Sequence, residues 1–207
     1  MISGKCMIDF EEIKKYLPKY LSEESTKGLF EDLKAFPDNV NNRFYGNVLD
    51  DEVVIFQGDG IRDLLVINLP DSKIEPFPAM VISNTCDITP ENERKIEPKI
   101  LYCPIVKISR FETQLKNNKI RDEQISQYLK EIKEQRISSI FYLPKGGQLP
   151  EDCIALLDNI NNCKISFVKN EEVPGRRLFS LSNYGFYVLL FKLSIHFTRI
   201  RETVERG

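Results

Sequence analysis

The sequence predicts an α+β protein: a small, mostly antiparallel β-barrel over about residues 43–181, with helices before it, a helical insertion inside it and a long helix after it. Three observations predict this. From Phe44 onward, short β-branched and aromatic runs are separated by Gly, Pro, Asn and Asp, without the regularly alternating helices of a doubly wound sheet. The opening residues and the stretch near 110–136 carry apolar residues at helical spacing instead. The segment from Phe186 to Phe197 is apolar nearly all round, the pattern of a helix buried on more than one side.

The elements follow in order. A helical lead-in spans residues 1–42. Its first helix starts from Asp9 as N-cap, with Phe10, Ile13, Tyr16 and Leu17 in register, and Pro18 ends it. A second starts after Ser25 or Thr26 and runs through Leu29, Phe30 and Leu33 to Phe36-Pro37. The Asp- and Asn-rich stretch 38–42 marks the boundary. Strands are expected at Val53–Phe56, Leu64–Ile67, Ala79–Ile82 and Ile100–Val106, with Pro104 pointing to an edge or bulge. Gln57-Gly58-Asp59-Gly60 is a hairpin turn, because it lacks the further glycines and the lysine of a phosphate loop. In the insertion, Ile125, Tyr128, Leu129 and Ile132 share one face and Lys and Glu the other. Strands resume at Ile140–Leu143, Cys153–Leu157 and Lys164–Val168, with a Gly146-Gly147 turn between the first two. The final helix occupies residues 182–207, opening at Ser182 or Asn183 and running to about Glu202.

With 42% hydrophobic and 29% charged residues, the chain has the composition of a folded protein and not of a disordered one. A net charge of −2 supplies no global attraction to phosphate backbones, so nucleic-acid binding would need a local basic patch. The amino end lacks the apolar core of a secretory signal, and the longest apolar run, Phe186 to Phe197, is too short for a bilayer and is interrupted by Lys192, Ser194 and His196. Five cysteines without C-x-x-C spacing, beside a single histidine, fit free thiols in a reducing cytoplasm better than a zinc site. A cytoplasmic protein without cofactor or metal is expected.

The best functional candidate is the end of the Ala79–Ile82 run, where Ser83, Asn84, Thr85, Cys86 and Asp87 gather at a strand tip. This stretch resembles the PemK/MazF-like group, SH3-like barrels best known as toxin endoribonucleases. Pro78-Ala79-Met80-Val81-Ile82-Ser83 is similar to the Pro-x-x-Val-Ile-Ser strand of that group, and Cys103-Pro104-Ile105-Val106 to its Pro-Ile-Thr-like segment. The resemblance covers roughly residues 50–110 and implies an SH3-like barrel. In the family an arginine before the first proline and a threonine after the second Pro-Ile carry much of the RNA-cleaving chemistry. Phe77 and Val106 stand there instead, and neither can donate a hydrogen bond to phosphate. The resemblance therefore implies the scaffold without the family's ordinary mechanism.

Three functions follow as expectations. The first is a non-catalytic binding module, an accessory component of a toxin–antitoxin or phage-defence type system, meeting a protein partner or a second copy through its apolar final helix. The second is a divergent endoribonuclease that uses the tip and nearby arginines on single-stranded RNA. Its surface would combine Arg62, Arg176 and Arg177 with stacking from Tyr45, Tyr102 and Tyr142. The third is a cysteine hydrolase in which His196 activates Cys86 and Asp87 orients the ring. Against that one, an adjacent carboxylate raises a thiol's pKa, and Cys86 and His196 also fit ordinary core positions. A metal cluster of Asp59, Asp63, Glu75 and Asp87 matches no ligand spacing, and turn-forming Asp explains most of it.

Overall fold

The structure, a computed structural model, describes residues 27–198 apart from residues 30, 33–34, 38–39, 41–42 and 93. The expected first helix lies outside the described residues, as does most of the 38–42 boundary; residues 27–29 and 31–32 of the second are helical. The chain divides into two compact units, Met1–Phe36 and Pro37–Gly207, and the second carries everything that follows.

Eight strands form it: β1 Tyr45–Gly46, β2 Gly60–Ile67, β3 Ile74–Val81, β4 Lys99–Lys107, β5 Ile140–Leu143, β6 Cys153–Leu156, β7 Asn161–Lys164 and β8 Arg177–Leu181. All their pairings are antiparallel, in the order β1-β8-β2-β3-β4-β6-β5, with β7 also on β4. The α+β class and the antiparallel sheet are as expected. The sheet is open, however: no strand ladder joins its two ends, β1 and β5.

It is nonetheless curled. The end of β2 meets the start of β7 through side chains: the Ile67 N–H donates to Asn161 Oδ1 at 2.9 Å, and Asn159 Nδ2 donates to Asn68 Oδ1. Tyr102 on β4 donates its hydroxyl to the Leu65 carbonyl across the same interior. Inside the curl lies one apolar core, including Ile61, Leu64, Ala79, Val81, Ile100 and Tyr102, all fully buried.

Three expectations are corrected. Val53–Phe56 is not a strand: its Val54 carbonyl turns onto buried Arg177 and its Phe56 carbonyl accepts the Asp59 N–H in a turn, so neither serves a ladder. Pro104 sits on an interior strand, paired with Ala79. It is tolerated there because Cys103 and Pro104 fall where the β7 pairing of β4 ends and the β6 pairing begins. The strand expected at Lys164–Val168 lies earlier, as β7, and Ile165–Phe167 is a 3-10 turn. Strand β8 has no counterpart in the sequence reading.

The insertion forms two helices, α2 Ile108–Asn117 and α3 Asp122–Lys133, after the one-turn α1 Thr85–Ile88. As the spacing predicts, Tyr128, Leu129 and Ile132 pack on β5 and β6 in a second core with Ile108, Ile140, Tyr142 and Ile154. Past α3, Gln135 binds Tyr142 in both directions: its Nε2 donates to the carbonyl at 2.8 Å and its Oε1 accepts the N–H at 3.1 Å. One side-chain amide thus blunts the outer edge of β5.

After the one-turn α4 Val173–Arg176 and β8, the final helix α5 runs Asn183–Thr198, and the remainder of the expected span lies outside the described residues. The Ser182 hydroxyl accepts from the Gly185 N–H at 3.2 Å, as an N-cap does. Gly185 lets the helix approach closely, since a Cβ there would stand 2.3 Å from the Phe44 carbonyl oxygen. Tyr184, Tyr187, Val188, Leu189 and Lys192 are buried, while Ile195 and Phe197 near the end are exposed.

Candidate functional site

The tip after β3 is exposed as expected, but its polar atoms have structural work. Ser83 is buried: its hydroxyl accepts the Leu101 N–H at 2.7 Å. Asn84 caps α1 by accepting the Cys86 N–H at 2.9 Å, and the Thr85 hydroxyl accepts the Gln57 N–H at 3.0 Å. Asp87 is ion-paired with Arg94 at 2.6 Å. The Cys86 thiol is free and exposed. His196 contacts the Phe197 ring on α5, and among the described residues it makes no hydrogen bond with Cys86 or Asp87. The structure does not bring the three together as a catalytic set.

The three arginines do gather, around β2 and β8. The expectation of an exposed Arg176-Arg177 doublet is corrected at Arg177, which is 2% exposed. Its Nε donates to Asp59 Oδ2 at 3.2 Å. Its terminal nitrogens reach the carbonyls of Leu49, Asp50, Glu52 and Val54 at 2.6–3.1 Å. Asp59 is 1% exposed and also accepts from the Ser180 hydroxyl and the Phe56 N–H. Burial pushes the Asp59 carboxyl up, against the Ser180 and Phe56 hydrogen bonds and the Arg177 guanidinium, which favour its charged form.

Arg176 caps a bulge. Between Ile61 and Leu64 the β2 register slips and Asp63 takes a φ of 56°; Arg176 donates to the freed carbonyls of Arg62 and Asp63. Arg62 is exposed and donates to Gln148 Oε1. Of the three expected stacking tyrosines, Tyr45 alone is partly exposed. Tyr102 and Tyr142 are buried, and Tyr45 is half-buried with its hydroxyl donating to the Pro144 carbonyl at 2.6 Å.

The four carboxylates weighed for a metal are dispersed: Asp59 on Arg177, Asp63 in the bulge, Glu75 on Lys73 and Asp87 on Arg94. Among the described residues no three His, Cys, Asp or Glu side chains are placed to hold a metal ion. Likewise, no helix there is long and apolar enough to cross a membrane. At the position where the resemblance would place an arginine, half-buried Phe77 lies under the guanidinium of exposed Arg110, 5.7 Å from its ring centre.

The concavity that the sequence reading missed runs beside β8, where Gln148 binds the Leu178 and Arg177 carbonyls. Beyond β1 the chain swings away at Asn47, leaving a groove of about 710 Å³ between the 47–51 turn and the Gly147-Gln148 turn. Its lining includes Tyr45, Asn47, Asp50, Asp51, Gln148 and Phe179. No family model and no curated protein matches this chain. The groove's only sequence signals are the acidic run Asp50-Asp51-Glu52 and the Gly146-Gly147 turn; neither points to the other without β8 between them.

Proposed function

We propose that the protein is a non-catalytic interaction module that binds a protein partner. The observation that carries this reading is the contrast between saturated and open surface. Arg176, Arg177, Ser83, Asn84, Thr85 and Asp87 are all held by partners within the fold, while a wide groove beside β8 stays open. Exposed Ile195 and Phe197 add apolar surface near the end of α5 that suits a partner or a second copy. The curl of β2, β3, β4 and β7 around one core supports kinship with the SH3-like barrels of the PemK/MazF-like group. From that resemblance alone comes the setting: an accessory of a toxin–antitoxin or phage-defence type system. Gel filtration and pull-down with the full chain should give an oligomer or a stable complex. A lone monomer that captures nothing would overturn the reading.

A second reading, the divergent endoribonuclease, is favoured by Arg110 beside Phe77 and Arg94 beside the tip. Mixed single-stranded RNA incubated with the protein, with and without divalent metal, tests it. Under the module reading the RNA stays intact. Cleavage that is lost in a Cys86→Ala/Asp87→Ala double variant would establish the endoribonuclease in its place.

A further inference from the structure

The groove beside β8 has a chemistry that the module reading does not specify. Arg177 draws the carbonyls of Leu49, Asp50, Glu52 and Val54 inward, so the backbone of this loop faces the protein. The side chains of Asp50, Asp51 and Glu52 are exposed on the same loop, and among the described residues none of these carboxylates forms an ion pair or a hydrogen bond. Asp50 and Asp51 lie on the groove wall. Half-buried Tyr45 lies along the same groove, backed by buried Phe179 with ring centres 4.9 Å apart. Two cations stand nearby: Arg177 lines the groove but is surrounded by Asp59 and the loop carbonyls, and exposed Arg62 is bonded to Gln148 on the wall opposite the carboxylates.

A concavity of about 710 Å³ falls within the roughly 300–1,000 Å³ that ligand sites occupy, and it is too large for a lone ion. The partly exposed ring of Tyr45 together with free carboxylates complements a guanidinium, which stacks on the first and pairs in bidentate fashion with the second. Because four carbonyl contacts to Arg177 hold the backbone of the loop from within, only side-chain ordering of the two carboxylates falls on binding.

Resting on the module reading, we propose that this groove docks an extended, arginine-bearing segment of the partner protein, with Asp50 and Asp51 receiving its guanidinium groups. The partner is thus a protein with a basic, extended segment, and the contact weakens as salt rises.

The test titrates the isotope-labelled full chain with a capped hexa-arginine peptide and, separately, a capped hexa-glutamate peptide, following backbone amides by NMR. Saturable shifts at Asn47, Asp50, Asp51, Gly147 and Gln148 are expected with hexa-arginine only. Asp50→Asn/Asp51→Asn should weaken binding about tenfold or more. Glu123→Gln/Glu131→Gln, which removes two carboxylates from α3, should leave it unchanged. Shifts scattered elsewhere, no binding, or equal weakening by both double variants would overturn the assignment. The two readings fail separately. A captured partner held equally well by Asp50→Asn/Asp51→Asn sinks the groove and spares the module. A partnerless monomer that still binds the peptide in the groove does the reverse.

Discussion

Arg177 uses its planar fork entirely indoors, on one carboxylate and four carbonyls. A lysine has a single ammonium and cannot address so many acceptors from one position. Arg177→Ala leaves Asp59 as a buried charge without its counter-ion and should cost about 3–5 kcal/mol in urea unfolding. Arg177→Lys should recover only part of that. An unchanged midpoint in either variant would show that the loop holds itself. Lys192 presents the opposite case. It is 4% exposed, donates to the Gln135 carbonyl at 2.6 Å, and burial lowers its pKa from 10.5 to about 8. Below about pH 8 both folded and unfolded chains carry that proton, and the burial penalty is fully present. Between about 8 and 10.5 the unfolded chain binds more protons, so the penalty fades as pH rises. Lys192→Met should therefore stabilise the protein at neutral pH by about 1–2 kcal/mol, after allowing for the bond that Gln135 loses. Unfolding measured at pH 7 and at pH 10 should show that advantage shrinking; a constant difference would contradict it.

Among the elements, the β2–β7 junction shows how a side chain does the work of a strand. Asn161 accepts the Ile67 N–H where no ladder continues. Asn161→Ala should cost about 1–3 kcal/mol, the penalty of an unsatisfied buried group, and should speed amide exchange at Ile67. Exchange that stays slow would mean that the curl is held by the apolar core alone. The same substitution of side chain for backbone limited what could be read from the sequence. β4, β5 and β6 were legible because each carries an apolar run buried over most of its length. β8 was not, because Arg177-Leu178-Phe179-Ser180-Leu181 begins with a charge and contains a hydroxyl. Both polar side chains turn out to be buried against Asp59, a partner 118 and 121 residues away. Val53–Phe56 failed for the complementary reason: its apolar run is real, but its Val54 carbonyl answers to that same distant guanidinium.

At the scale of the molecule, the class and the apolar final helix were visible in local patterns, whereas the groove was not. The tip after β3 was found because its residues are consecutive. The groove is assembled from residues 45–51, 147–148 and 174–179, and no local window contains it. The same wide separation bears on how the chain is made. Arg177 meets Leu49 across 128 positions, and β2 and β1 both take β8 as a neighbour. A chain still being synthesised has Asp59 long before its counter-ion emerges, and contacts of such high sequence separation form slowly. Premature termination anywhere upstream of β8 should thus yield an aggregation-prone fragment with a lone carboxylate at its heart, and a chaperone's attention would fall on the nascent protein until β8 has emerged.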